Sequence, residues 1–464
     1  MMRKLFPRQR GQVSIMLAVS MTTLLGVVGL ALSAGMSYMI KAKLNAATDA
    51  ASLAAARATS IGGDQATQTS NAKAAAQRFF DANFPANYMM STATLHDTKV
   101  TFTGGAVTIN VSASATMPTV FLGNLASGPL APSALTETKR KDLDMVIALD
   151  TSGSLLNEAA TVRSSAVTFL KQFNVSTDRV GLLHFSYGSV VDMPIRRTER
   201  GFNRDSMVNS IGRYQFSGST ASAEGMWRAR KEINSVPEAG LNRSNLRVIV
   251  FFSDGAPNSF GTYLTWKNPG DCTYPGVVNT GDGSTGEAGG LYELDRQADD
   301  IGGNCTPETL TNYSPRLKLK DRASALPDWY NGHLDLIEKE AQKNDATLRE
   351  FRVVTSSPRV VTNAITHQNV NRAARNLVEA MASKSRDEGI FVFTLGLGAA
   401  LKTGSGPDSE KGEDVLKCMA NSTDAPSRCF NAAKPIGVYC HAATQADLTP
   451  CFSKLASAIL RISK

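Results

Sequence analysis

From Val13 to Ile40 the chain carries no charged residue. At about 1.5 Å of rise per residue, a helix over this run exceeds the roughly 30 Å hydrocarbon core of a bilayer. Apolar positions then continue as a narrow stripe, Leu44, Ala47, Ala51 and Ala54, through a stretch of strong helix formers. A helical stalk over about residues 41–90 is expected, with side chains small enough to let another element approach closely. The period then changes. Residues 99–103 and 106–111 alternate apolar and polar around Gly104-Gly105, which predicts a hairpin. Two strands alone are marginal, so this small β unit, about residues 91–140, must pack on the stalk or on the larger C-terminal domain.

Residues 141–464 alternate two kinds of run. Continuous apolar stretches at 143–149, 179–186, 246–253 and 389–396 read as buried strands, and 190–195 as a shorter strand at or near an edge. Leu155, Ala159, Val162, Ala166, Phe169, Leu170 and Phe173 recur at helical spacing, and further helices are expected from Thr220 to about Ile233, over 371–386 and over 448–462. Strands alternating with helices predict an α/β fold, a doubly wound, mostly parallel sheet with helices on both faces. One span interrupts the pattern. Between Asp254 and Gly389 lie roughly 130 residues, several times an ordinary connection. This insertion, about 257–370, includes a glycine-rich stretch at 281–290 and an expected helix over 327–351. It either covers a neighbouring site, binds a partner, or is a solvated decoration. No G-K-[ST] follows the glycines, so they are not a phosphate-binding loop.

Charge decides which way the chain faces. Arg3, Lys4, Arg8 and Arg10 precede the apolar run. By the positive-inside tendency, residues 1–12 stay cytoplasmic, 13–40 span the membrane and the remainder is exported. A cleaved signal peptide is the rival reading, since Ala31-Leu32-Ser33 offers a small-residue cut, but the run is long for such a segment. All six cysteines, Cys272, Cys305, Cys418, Cys429, Cys440 and Cys451, lie in the exported part, as suits a disulfide-forming compartment. Many connectivities are open to six cysteines; the sequential one, Cys272 with Cys305, Cys418 with Cys429 and Cys440 with Cys451, is the simplest, and reduced buried thiols are the alternative. The net charge of +8 comes without an aromatic-interleaved basic motif, so nucleic acid is not expected. An anionic lipid or wall polymer suits it better.

The chemistry gathers where two strands end. Asp150, Ser152 and Ser154 lie on the loop at the carboxyl end of the first buried strand, where ligands bind in open α/β sheets. A hard cation such as Mg²⁺ wants oxygen ligands and keeps several waters; one carboxylate and two hydroxyls meet part of that demand. Asp150-x-Ser152-x-Ser154, with Thr220 at the next helix start and the Ser-Asp254-Gly turn after the strand at 246–253, resembles the von Willebrand factor A domain and its metal-ion-dependent adhesion site. The resemblance implies that Ser152, Ser154 and Thr220 bind Mg²⁺ directly, that Asp150 and Asp254 act largely through water, and that an open position accepts a carboxylate from a partner protein.

The N-terminal part resembles TadG-like proteins of the Tad (tight adherence) pilus system. Arg10-Gly11-Gln12 resembles the family's entry to the membrane segment, the Ala-Asp-Ala-Ala-rich run at 47–56 its continuation, and the 116–123 segment its V-P-T-x-F stretch. Pilins cut by prepilin peptidase usually carry a glutamate five residues after the cleaved glycine; here that place is Met16, so such processing is not expected. Together the resemblances imply a bacterial inner-membrane protein, single-pass, with its bulk in the periplasm. It would assist assembly or anchoring of a Flp-type pilus by binding pilus or envelope components. A surface adhesin using the same site, or a metal-free structural anchor, are the alternatives. Neither an enzyme nor a small-molecule substrate is expected. His96, His184, His333, His367 and His441 are scattered, and neither a G-x-S-x-G elbow nor H-E-x-x-H occurs.

Overall fold

The computed structural model describes residues 12–59, 65–103, 106–118, 129–238, 243–244, 246–268, 270–297, 301, 305 and 315–462. The basic flank, the Arg10-Gly11 entry, the Gly104-Gly105 turn and residues 119–123 of the expected V-P-T-x-F stretch lie outside these. The chain forms two compact units, Met1–Arg140 and Lys141–Lys464.

The first unit is built on α1, Gln12–Ala58, a single 47-residue helix. Its early apolar side chains, Val13, Leu17 and Leu24 among them, are exposed, and it is the one described helix long and apolar enough to cross a membrane. From Ile40 onward one face is covered: Ile40, Leu44, Ala47 and Ala51 are wholly buried. α2, Gln65–Asn83, lays Ala72, Ala76 and Phe80 into the same core. Strands β1 (Thr92–Leu95), β2 (Lys99–Thr103), β3 (Ala106–Thr116) and β4 (Ser133–Lys141) form a sheet in which β3 pairs with the other three. Because side chains alternate along a strand, Val107, Ile109, Val111, Ala113 and Ala115 of β3 all enter the α1 core. The hairpin therefore packs on the long helix. Hydroxyls seal the seam: Thr136 Oγ1 donates to Asp49 Oδ1 at 2.9 Å, and Thr138 Oγ1 to Ser52 Oγ at 2.9 Å.

The second unit is a doubly wound α/β fold. Its six-stranded sheet comprises β5 (Leu143–Asp150), β6 (Arg179–Phe185), β7 (Ser189–Met193), β8 (Leu246–Ser253), β12 (Phe391–Leu397) and β13 (Tyr439–Ala442), in the order β13-β12-β8-β5-β6-β7. Every pairing is parallel except that of the edge strand β7 with β6. α3 (Ala159–Leu170), α4 (Arg204–Gly212) and α8 (Leu448–Ile462) cover one face. α5 (Ser222–Asn234), α6 (His367–Asp387) and α7 (Gly412–Ala420) cover the other. All eight residues of β5 are buried, Met145, Ile147 and Leu149 facing α3 and α8 while Val146 and Ala148 face α5. A strand buried on both sides must be apolar throughout, which is why its pattern is continuous rather than alternating.

The insertion is part of the core. Strands β9 (Ser259–Thr262), β10 (Gly276–Asn279) and β11 (Gly289–Tyr292) make an antiparallel sheet. Phe260, Val278, Leu291, Tyr330, Phe351 and Val353 are buried in the same cluster as α5, which excludes the solvated decoration. The expected helix over 327–351 does not form. Only Leu336–Ala341 is α-helical, started by an Asp335/Glu338 capping box, with a single 3₁₀ turn at Ala346–Leu348. Asn331 breaks the run before it: its Oδ1 accepts from the Tyr263 backbone N–H at 2.9 Å, tying the segment down as a loop. α5 grips the insertion through Glu224, which is wholly buried. Its carboxylate accepts from Gly261 N and Tyr330 Oη, each at 2.7 Å, and meets His333 Nε2 at 2.5 Å. Trp227 stacks on His333 at 3.8 Å. The cysteines pair sequentially, Cys272 with Cys305, Cys418 with Cys429 and Cys440 with Cys451.

Candidate functional site

From β5 the chain crosses to β6 on one side, while β8 lies on the other. The carboxyl end of β5 is therefore a switch point, where helices leave the sheet in opposite directions and open a crevice. Asp150 is the last residue of β5, Ser152 lies on the loop after it, and Ser154 stands in the short 3₁₀ turn Gly153–Glu158 that follows. Asp254 follows β8 directly, and Thr220 stands two residues before α5. The fold thus brings all five sequence-derived residues to one crevice.

Hydrogen bonds order them. Asp150 is fully buried, and its two oxygens accept from the Ser152 backbone N–H at 2.8 Å and from Ser253 Oγ at 2.6 Å. It therefore ties the serine loop to the end of β8. Ser152 Oγ and Ser154 Oγ stand 3.2 Å apart, and Ser154 Oγ donates to Asp254 Oδ1 at 2.9 Å. The threonine loop is pinned from three sides: Ser217 N donates to Thr151 O at 2.9 Å, Gly153 N to Gly218 O at 3.1 Å, and Thr220 N to Asn258 Oδ1 at 3.0 Å. Gly218 has φ +89°, and a Cβ there would stand 2.4 Å from Ser186 Oγ; only glycine takes this turn without strain. The Thr220 hydroxyl comes 3.3 Å from the place a Gly255 side chain would begin, so the small residue after Asp254 keeps that oxygen at the crevice.

The electrostatics are those of acid without counter-charge. Burial raises the Asp150 carboxyl to about 6. Burial, and then the charge of Asp150, push Asp254 to about 8, with Glu158 adding to the repulsion. Among the described residues no lysine or arginine forms an ion pair with either carboxylate. Among them no three or more His, Cys, Asp or Glu are arranged to hold a metal ion by themselves, so a cation held at this crevice would rest on hydroxyls as much as on carboxylates. Three hydroxyls and two carboxyls of this kind suit a hard, oxygen-seeking ion, and its charge would relieve the repulsion between the acids. Beside the site a groove of about 270 Å³ runs past Ser154, Glu158 and Asp254 to Gly398 and Gln445.

Ser253 and Asn258 were not among the sequence-derived residues. Ser253 had a signal, its place in the Ser-Asp-Gly turn. Asn258 had none, because its partners are distant in sequence: Thr220 on one side and, through its Nδ2 at 2.9 Å, Asp282 of the glycine-rich stretch on the other. The insertion thus reaches the threonine loop through two side chains, since Asn279 Nδ2 also donates to Ser219 Oγ at 2.8 Å.

Residues 144–269 match the family model of the von Willebrand factor type A domain, and residues 11–58 that of Flp pilus-assembly TadE/G-like proteins. No curated protein matches the chain. Among solved structures, the pilus adhesin SpaC from Lactobacillus rhamnosus GG is similar at 14% identity and a TM-score of 0.38, over 80% of this chain and 34% of SpaC. The PilB minor pilin from Streptococcus sanguinis is similar at 14% identity and 0.36, over 81% of this chain and 79% of PilB. A von Willebrand factor type A protein from Catenulispora acidiphila is similar at 11% identity and 0.33, over 76% and 46%. The chain thus spans about a third of the SpaC length. At these identities and scores the likeness carries no functional information. The two family matches join a Flp pilus-assembly TadE/G-like segment and a von Willebrand factor type A domain in one chain.

Proposed function

We propose that this TadG-like A-domain protein is held in the bacterial inner membrane by α1, with both folded units on the periplasmic side. There it assists assembly or anchoring of a Flp-type pilus through Mg²⁺-dependent binding of a partner protein's carboxylate. The observation that carries the reading is the union, in one chain, of the TadE/G-like segment at 11–58 with an A domain whose five oxygen-bearing residues meet at the switch point. The basic flank before Val13 supports the orientation, and the disulfides support an oxidising compartment.

Ser152, Ser154 and Thr220 would hold the ion, with Asp150 and Asp254 around it. Bound there, Mg²⁺ would supply positive charge to which a carboxylate can coordinate. The chain's own residues do the rest. Asp150 fixes the serine loop to β8, Ser154 and Asp254 hold each other in place, Gly218 and Asn258 set the threonine loop, and the neighbouring groove leaves a way in.

The test compares pilus assembly and surface attachment in a deletion strain complemented with wild type or Asp150→Ala at matched protein levels. Loss of pili with Asp150→Ala is the expected result. Normal pili with lost attachment would point instead to an adhesin acting on an external ligand, and no defect in either would leave a structural anchor.

A further inference from the structure

The insertion holds a second cleft, of about 710 Å³, to which none of the five residues at the switch point contributes. Its walls are distinctive in composition. Three aromatic side chains, Tyr263, Trp266 and Trp329, share it with Thr265, Asp328 and Lys343. A site for a lipid or an apolar small molecule would be lined mainly by hydrophobic side chains; here rings alternate with hydroxyl, carboxylate and ammonium groups. The rings are held rather than loose. Tyr263 is buried and its Oη donates to Leu334 O at 3.1 Å. Lys339 Nζ stands 5.4 Å from its centroid, and the Arg352 guanidinium 4.3 Å from that of Trp329. Trp266 lies on the short strand Thr265–Trp266, paired with Ala323–Ala325, and packs from the outside against the main core. The Cys272–Cys305 disulfide, whose Cys272 lines the cleft, braces one wall.

Aromatic rings have flat apolar faces and, in tyrosine and tryptophan, a polar tip. A sugar ring is their complement, with C–H groups on its faces and hydroxyls at its rim. We propose that the cleft between Trp266 and Trp329 binds a carbohydrate chain, the indoles stacking on sugar faces while Thr265, Asp328 and Lys343 hydrogen-bond its hydroxyls. Asp328 and Lys343 are both exposed, so each can turn to a ligand without leaving a buried partner unpaired. This site is independent of the metal reading: it uses other residues and requires no cation.

The test uses the whole chain in detergent, with EDTA present, on a printed panel of neutral, N-acetylated and uronic-acid oligosaccharides. Intrinsic tryptophan fluorescence titration is then run with the panel's best binder. The expected result is binding to at least one class, a change in tryptophan emission on titration, and a loss of affinity of at least tenfold in both Trp266→Ala and Trp329→Ala. Asp328→Asn, which leaves the rings in place, should weaken binding less than either tryptophan variant, and native disulfides with unchanged circular dichroism in each tryptophan variant guard against a folding defect. Binding by neutral members alone would assign a neutral glycan, and binding by uronic acids alone an acidic one. No binding to any member overturns the proposal, as does binding that survives in a Trp266→Ala/Trp329→Ala double variant with native disulfides and unchanged circular dichroism. Neither outcome bears on Asp150 or on pilus assembly.

Discussion

Two residues around the switch point lead to expectations of different kinds, one about charge and one about backbone. Asp254 is an acid held protonated by burial and by Asp150 up to about pH 8, far above the ordinary carboxyl range. A group whose folded pKa is raised binds protons more tightly when folded, so stability falls as pH rises from the ordinary carboxyl value towards 8. In EDTA, the melting temperature of the second unit should therefore drop by a few °C between pH 5 and pH 8. Asp254→Asn should flatten that slope, and Mg²⁺ should restore the wild-type value at pH 8. Equal slopes for the two proteins by differential scanning fluorimetry would reject the assignment. Gly218 is a matter of backbone. Gly218→Ala places a side chain in the left-handed region against Ser186 and Tyr187 and should cost about 1–3 kcal/mol, read from urea unfolding of the isolated second unit. The motif residues were legible in the sequence because each lies at a strand end or helix start, which periodicity locates. Asn258 was not, since nothing local marks an amide whose partners are 38 and 24 residues away.

At the scale of elements, the central strands were the plainest part of the chain. β5 and β8 are buried on both faces, and only a continuous apolar run satisfies that. The insertion was obscure for the converse reason. Its core residues are spread singly among glycines, turns and short strands, so no period emerges, and the 327–351 segment read as a helix although Asn331 holds it as a loop. What fastens the insertion is Glu224. Burial alone would raise its carboxyl, but the charge of His333 and hydrogen bonds from His333, Gly261 and Tyr330 outweigh it, so it lies below the ordinary glutamate value. The sign is opposite to that of Asp254: this stability is present above the ordinary carboxyl pKa and is lost as pH falls through the depressed one. Glu224→Ala strands Tyr330 and His333 and should cost about 3–5 kcal/mol. Hydrogen exchange should show protection lost first across residues 259–262 and 330–333, and uniform loss over the unit would count against the clamp.

For the whole molecule, three disulfides lie in the second unit and none in the first. The two should respond differently to reduction. Removing a native disulfide typically costs about 2–5 kcal/mol, so dithiothreitol should lower the melting temperature of the second unit while leaving the first unchanged; equal shifts would be contrary to this. The place where α1 first becomes covered matters in another way. The uncharged run ends at Ile40, and Ile40 is also the first wholly buried apolar residue of the first unit's core. With the run in a bilayer, the same helix passes from lipid into protein without a spare turn. Height above the membrane is then written in helical residues: four added between Ile40 and Leu44 would lift the sheet of this unit by about 6 Å and swing it by about 40° around the helix axis. The anchor is in this sense a ruler and a compass, and a partner fixed in the same membrane would meet a different face of the protein after a change of one helical turn.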